Sequence, residues 1–599
     1  MKNFITSMLG ALVALVIFST GAVLLFIGFI GAIVAMGQQK KAPELASGSY
    51  IVFDLSSNIT DAPPPIDLGD FSGGRTDIMQ LRSITRALRY ASHDSKIRGV
   101  LLLGSLTPKD FGSGFAALRE VRAALSDFRA SGKPVLAYLD YATTRDFYLA
   151  SVANEVAMDP YGMIFMPGLA SQPIFYAGAF EKYGLGIQVT RVGKFKSFVE
   201  PFTRTDMSPE NREQVQKLLD DVWGSLISDI GLSRGITPDQ IQATVDAEGI
   251  IKPAAAVKAH LVDRVAYRDE MIDRLKKETG VTSATESFKQ VQLSVYARTG
   301  VHAPSFMGSG EVAVVYAEGD IVDGEGDATE VGGAKFAREI RELREDSSVK
   351  AIVLRVNSPG GSATAAETIQ RELRLAHRTK PVIVSMGSYA ASGGYWISAY
   401  GDRIFAEPTT ITGSIGVFGI QFDVQKFANE HGITFDSVKT GKFADSITIE
   451  RPKTDEEMQV FQRMVDWIYS QFIAKVAEGR NLKPTFVEEI AQGRVWSGTE
   501  AKKLGLVDEI GSLSDAIKYA GKQASLGASF KVVEYPRSKN LSEALAEMFG
   551  KYAPAGLRLH STGFLDQIVE QIKTQFSRLR AFNDPRGIYA RMPMEIAIH

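Results

Sequence analysis

The sequence predicts an α/β protein made as a tandem repeat of one unit, with a single membrane-spanning helix ahead of it. Three observations predict this. Four phrases recur in the same order at nearly constant spacing, which identifies two copies. Short apolar runs alternate with helical patterns inside each copy, which is the signature of strand–helix–strand crossovers. A long stretch near the amino terminus carries no charge. Length alone, at roughly 150 residues per domain, would suggest about four units. The repeat replaces that count with an anchor over 1–45, a first copy over 46–300, a second over 301–535 and an extension over 536–599.

The anchor comes first. No charged residue lies between Lys2 and Lys40, and residues 8–36 are almost wholly apolar. A helix needs about 20 such residues to cross a bilayer, so this segment spans one with some tilt. It is too long for the roughly 7–15-residue core of a cleavable signal peptide. Lys2 on one side and Lys40 with Lys41 on the other nearly cancel, so local charge does not orient it.

Within the copies, Lys133-Pro-Val-Leu-Ala-Tyr-Leu-Asp-Tyr-Ala returns as Lys380-Pro-Val-Ile-Val-Ser-Met-Gly-Ser-Tyr-Ala. Upstream, Ile97-Arg-Gly-Val-Leu-Leu-Leu matches Val349-Lys-Ala-Ile-Val-Leu-Arg. Downstream, Arg191-Val-Gly-Lys-Phe-Lys-Ser matches Lys439-Thr-Gly-Lys-Phe-Ala-Asp, and Ala259-His-Leu-Val-Asp matches Leu504-Gly-Leu-Val-Asp. The runs Val100–Leu103, Ile352–Val356 and Val382–Ser385 suit buried parallel strands. Phe115–Arg129 and Ala365–His377 read as helices, and Thr454 with Glu457 has capping-box spacing for a long helix through Ala474.

Composition narrows the chemistry. Lys+Arg 67 against Asp+Glu 69 gives a net charge of -2, which offers nucleic acid no footing. There is no cysteine, so disulfides, thiolate metal sites and a cysteine nucleophile are excluded. No metal-ligand cluster and no cofactor motif is present. The seven histidines avoid the strand–turn contexts described next, which disfavours a Ser-His-Asp triad.

Two glycine-rich turns in the second copy follow predicted strands: Asn357-Ser-Pro-Gly-Gly-Ser362 and Ala390-Ala-Ser-Gly-Gly-Tyr-Trp396. Glycines there let backbone N–H groups approach a ligand. Ser392, at a helix start, is either an N-cap or an exposed nucleophile. Comparing the copies favours the second. Ser392 falls opposite Arg145, so the first copy lacks the serine. Lys194 falls opposite Lys442, but Lys196 falls opposite Ala444. Each copy keeps half of a two-residue site. A lysine kept neutral by burial can act as the general base for a serine, and Ser414, on the turn Thr409–Gly416, is a candidate to orient it.

These phrases, with Thr412-Gly-Ser-Ile-Gly416, Gly193–Phe202 and the tail phrase Ala581-Phe-Asn-Asp-Pro585, resemble the long form of the signal peptide peptidase A (protease IV) family. The resemblance implies two Clp-protease/crotonase-like domains, Ser392 as nucleophile, Lys196 as general base and Ser414 as the serine bonded to that lysine. It implies that the Gly361 N–H joins that of Ser392 in the oxyanion hole. It further implies peptide substrates such as signal-peptide remnants and a bowl-like homotetramer. The amino terminus would be cytoplasmic and the catalytic domains outside the cytoplasmic membrane. Two other readings stand beside it: a crotonase-like acyl-CoA hydratase or isomerase, and a non-catalytic membrane scaffold. The stretch Leu565–Leu579 has amphipathic spacing that suits a membrane face, a neighbouring subunit or plain solvent.

Overall fold

The computed structural model describes residues 45–64, 66–67, 77–283, 285–299, 310–527, 530–537, 539–540, 583–584 and 586–592, with Phe18 by itself. The segment 8–36, apart from Phe18, and the stretch Leu565–Leu579 lie outside the described residues. Among the described residues no helix is long and apolar enough to cross a membrane.

The first repeat builds a parallel sheet in the order Arg264–Val265, Glu155–Phe165, Val135–Thr143, Ile97–Leu103, Ser49–Asp54 and Gln290–Gln292. Burial on both faces explains why its strands read as continuous apolar runs: Val100 to Leu102 are all buried. Leu81–His93 covers one face by turning Leu81, Ile84, Leu88 and Ala91 inward, and Phe115–Ala130 packs beside it.

The second repeat repeats the plan. Ile411–Gly413, Val382–Ala391, Val349–Ser358, Glu311–Glu318 and Lys531–Tyr535 lie side by side and parallel, with Ala363–His377 as a crossover helix. The predicted capping box is present, with Thr454 accepting from the Glu457 N–H. The helix it opens runs past Ala474 to Arg480, because Val476 and Ala477 continue the buried face until Asn481 takes a left-handed conformation.

A third sheet joins the repeats. Its order is Val331–Gly332, Ile321–Val322, Gly360–Ser362, Ile588–Arg591, Val417–Asp423 and Gly186–Val192. Gly186–Val192 from the first repeat pairs antiparallel with Val417–Asp423 from the second over seven residues. That pairing carries the first repeat's lysine turn across to the second repeat's serine.

Candidate active site

Strand Val382–Ala391 ends in Ser392, and the helix Gly393–Ser398 starts at once. No room remains for a relaxed turn, so Ser392 is held at φ 54 and ψ -110. A non-glycine residue adopts a positive φ rarely and at a cost. Ser414 is held the same way, at φ 50, where the strand Ile411–Gly413 ends. The two serines singled out in the sequence therefore both sit on strained backbone.

Lys196 sits on a turn rather than in a strand. Gly193, at φ +100, ends the strand Gly186–Val192, and Lys196 caps the short 3-10 turn Ser197–Val199. The turn is clamped on the second repeat. The Phe195 N–H donates to the Gln492 carbonyl at 2.9 Å, and a side chain on Gly193 would start 2.4 Å from Gln492 backbone. Gln214 ties the same turn inward: its amide donates to the Phe195 carbonyl at 2.9 Å and accepts from the Val495 N–H at 3.2 Å.

These constraints bring three side chains together. Lys196 Nζ and Ser392 Oγ are 2.8 Å apart. Nζ also donates to the Ser414 carbonyl and lies within hydrogen-bond reach of Ser414 Oγ, both at 3.1 Å. All three residues are fully buried. With no carboxylate beside it, burial alone pushes the Lys196 ammonium well below the usual lysine range. Lys194, two residues away, is exposed with its ammonium over the Phe195 ring, as Lys442 lies over Phe443. Among the described residues no histidine bonds Ser392, and no group of three or more His, Asp or Glu could hold a metal ion.

The glycine loop adjoins the serine. Gly361 takes φ +154, and a side chain there would start 2.0 Å from the Ile321 carbonyl oxygen. One expectation fails in detail. The Ser392 N–H is not available for an oxyanion, because it donates to the Gly413 carbonyl at 2.8 Å. The nitrogen of the neighbouring Gly393, the first residue of its helix, lies against the loop instead. A side chain on Gly360 would start 2.6 Å from Gly393 N, and one on Gly393 would start 3.2 Å from Gly361 N. A backbone N–H leaves no mark in the sequence beyond its glycines.

Beneath the site lies a second feature that the sequence did not reveal. Arg355, fully buried, sends Nε to Asp61 at 2.7 Å and a terminal nitrogen to Glu120 at 2.8 Å, both from the first repeat. Its other terminal nitrogen donates to Ser385 Oγ at 2.8 Å. Arg355 therefore joins the strand that leads to the glycine loop with the one that leads to Ser392. Burial pushes the Glu120 carboxyl up to about 7, against the opposing pull of Arg355.

This geometry can be set beside known proteins. A sequence profile described as Peptidase family S49 matches the chain twice, over residues 127–282 and 374–527. Protease 4 of Salmonella typhi is 35% identical over 581 residues, covering 94% of this chain and 92% of that protein. Protease 4 of Haemophilus influenzae is 31% identical over 588 residues, covering 94% of this chain and 95% of that protein. The chloroplastic serine protease SPPA of Arabidopsis thaliana is 33% identical over 497 residues, or 81% of this chain and 70% of that protein. A solved ClpP1 variant of Listeria monocytogenes is a far more distant likeness, with 17% identity and a TM-score of 0.24 over 34% of this chain and 94% of that one. With the profile matched in both repeats and likeness along nearly the whole chain, the protein belongs to peptidase family S49 and is a serine protease.

Proposed function

We propose that this protein is a membrane-anchored endopeptidase that cuts signal-peptide remnants and similar apolar peptides with a Ser392–Lys196 dyad. The observation that carries the reading is the 2.8 Å approach of a buried, carboxylate-free lysine to a serine on strained backbone. The resemblance to signal peptide peptidases supplies the substrate class. It also supplies a Clp-protease/crotonase-type fold for each repeat, homotetrameric assembly and catalytic repeats outside the cytoplasmic membrane. The uncharged segment 8–36 supports the anchor. Large apolar side chains on the second repeat's surface, such as Val438, Ile447 and Ile449, support burial against other copies.

The chemistry follows from the parts. Neutral Lys196 takes the Ser392 hydroxyl proton as Oγ bonds to a peptide carbonyl carbon. The carbonyl electron pair moves onto oxygen, facing the N–H groups of Gly361 and Gly393. A donor of this kind is typically worth about 3–4 kcal/mol. Collapse breaks the C–N bond, and the Lys196 ammonium gives its proton to the leaving amine. Water, deprotonated by Lys196, then attacks the ester, releases the carboxylic acid product and restores Ser392.

A fluorophosphonate probe tests the reading. Mass spectrometry should find the adduct on Ser392 in the native chain and none in the Ser392→Ala variant. A panel of signal peptides digested by the same preparation should give products that the variant does not. Absence of the adduct from the folded native chain would sink the proposal.

A further inference from the structure

A buried hydrogen-bond network frames Lys196 and reaches both repeats through one side chain. Gln214, 1% exposed, lies on the helix Pro209–Arg234. Its Nε2 donates to the Phe195 carbonyl at 2.9 Å and to Ser197 Oγ at 3.1 Å, the residues on either side of Lys196. Ser197 Oγ in turn donates to Asn211 Oδ1 at 2.8 Å, and Asn211 Nδ2 donates to the Glu200 carboxylate at 3.0 Å. Glu200 accepts twice more from Ser208. Because every donor in that line points toward Glu200, the Gln214 amide oxygen is left to face the second repeat. There it accepts from the Val495 N–H at 3.2 Å. Val495 stands opposite Gly413, whose carbonyl holds the Ser392 N–H. The carbonyl of the adjoining Arg494 holds the Ser414 N–H at 2.6 Å. One amide ties the turn of the lysine to the strand against which both serines are set.

The two copies again differ where the site does. The helices Pro209–Arg234 and Asp455–Arg480 are both 26 residues long and follow the N-caps Ser208 and Thr454. Counted from those caps, Gln214 falls opposite Val460. The copy without the lysine lacks the amide too, and its own turn is exposed at Ala444. We propose that Gln214 is a positioning residue of the peptidase: by bonding Phe195 and Val495 at once, it holds the Lys196 amine at its working distance from Ser392 and Ser414. The inference rests on the peptidase reading of that pair. Without the amide, the Phe195 carbonyl and the Val495 N–H would be buried and bare, so the turn must shift to satisfy them. A shift of about 1 Å at a catalytic group costs on the order of 10²-fold in rate. Charged neighbours do not take over the task. Glu200 is occupied by Ser208 and Asn211, Glu213 pairs with Arg494 at 2.9 Å, and Lys194 lies over the Phe195 ring.

The experiment compares the full native chain with Gln214→Met, Gln214→Glu and Val460→Met. Each is followed by melting temperature, by steady-state cleavage of a fluorogenic apolar peptide and by fluorophosphonate labelling of Ser392 against pH. Gln214→Met keeps the length of the side chain and makes no hydrogen bond. Gln214→Glu keeps an acceptor for Val495 but loses the donor to Phe195, and it carries the test if the methionine variant does not fold. In both, kcat should fall about 10- to 100-fold with KM close to native. Labelling should also rise only at higher pH, because a loosened turn admits water to the amine and returns it toward the ordinary lysine range. Val460→Met should match the native chain. A lowered melting temperature with native kcat and a native labelling midpoint in the folded variants would overturn the proposal. So would failure of both variants to fold, which would assign the amide to the fold at large. If the folded native chain forms no adduct at Ser392, the peptidase reading has failed rather than the role of Gln214.

Discussion

Lys133 and Lys380 do the same work in their two repeats: each ammonium donates to two carbonyls at the C-terminal end of an earlier helix, Leu81–His93 in the first repeat and Gly333–Glu345 in the second. Lys133 bonds Ala91 and Asp94, and Lys380 bonds Leu343 and Asp346. The likeness extends to Asp263 and Asp508, which accept from the Val156 and Ile404 N–H groups and pair with Arg234 and Arg480. Against this shared frame, the repeats part company at the site. Arg145 lies over the Phe115 ring where the second repeat has its serine, and Ala444 is exposed where the first has Lys196.

From that division, Lys196→Ala should abolish peptide cleavage with the assembly still folded, and Lys194→Ala should leave it intact. General-base removal typically costs about 10²–10⁴-fold. Steady-state kinetics with circular dichroism of both variants checks this, and full activity in the Lys196 variant would end the dyad.

A buried neutral lysine also costs stability, and the sign can be stated. The unfolded chain holds the Lys196 proton up to the ordinary lysine range, whereas the folded chain releases it earlier because of burial. Stability therefore rises with pH between the lowered value and the ordinary one. Lys196→Met removes the cost, so its melting temperature should exceed that of the native chain. The margin should be widest at acid pH and shrink toward pH 10. Calorimetry across that range is the measurement.

The same titration shapes activity. Ser392 can surrender its proton only to the neutral amine, so acylation should rise with pH as Lys196 deprotonates and then level off. Ser414→Ala removes the hydroxyl 3.1 Å from Nζ and should lower the acylation plateau about 10- to 100-fold, the scale of a misplaced catalytic group. Rates of fluorophosphonate labelling against pH report both effects. A plateau equal to the native one would show that the hydroxyl does nothing for the amine.

Arg355 makes a prediction about the join between repeats. Arg355→Met leaves Asp61 and Glu120 buried without their cation, which costs about 3–5 kcal/mol. Burial holds Glu120 up to about 7 even with Arg355 present, so Glu120 can take a proton as the pH falls. The deficit should be smaller at pH 5.5 than at pH 8. Denaturant unfolding at both values decides it, and an equal deficit would remove Glu120 from the account.

Much of this is legible in the sequence itself. The repeats, their strands and the split of Lys196 from Ser392 could be read because duplication makes each copy a control for the other. What stayed hidden had no local signal. Nothing in a Val-Leu-Arg-Val strand tells that Asp61 and Glu120 will meet Arg355 from the other repeat. The four residues Ile588–Arg591 are too short for periodicity, and their partners lie far back in the chain. Gly393 offers only a backbone N–H, and the bond from the Ser392 N–H to the Gly413 carbonyl likewise leaves no mark in the sequence.

If Lys196 and Ser392 act as the proposed base and nucleophile, their parting between repeats also governs when activity can begin. Lys196 precedes Ser392 by 196 residues, so a chain leaving the ribosome carries the base long before the nucleophile exists. The two meet only when Gly186–Val192 has zipped onto Val417–Asp423, a contact between parts made at quite different times. With the proposed dyad, a nascent copy would be harmless to its surroundings, and cutting power would arrive only with the finished tertiary structure.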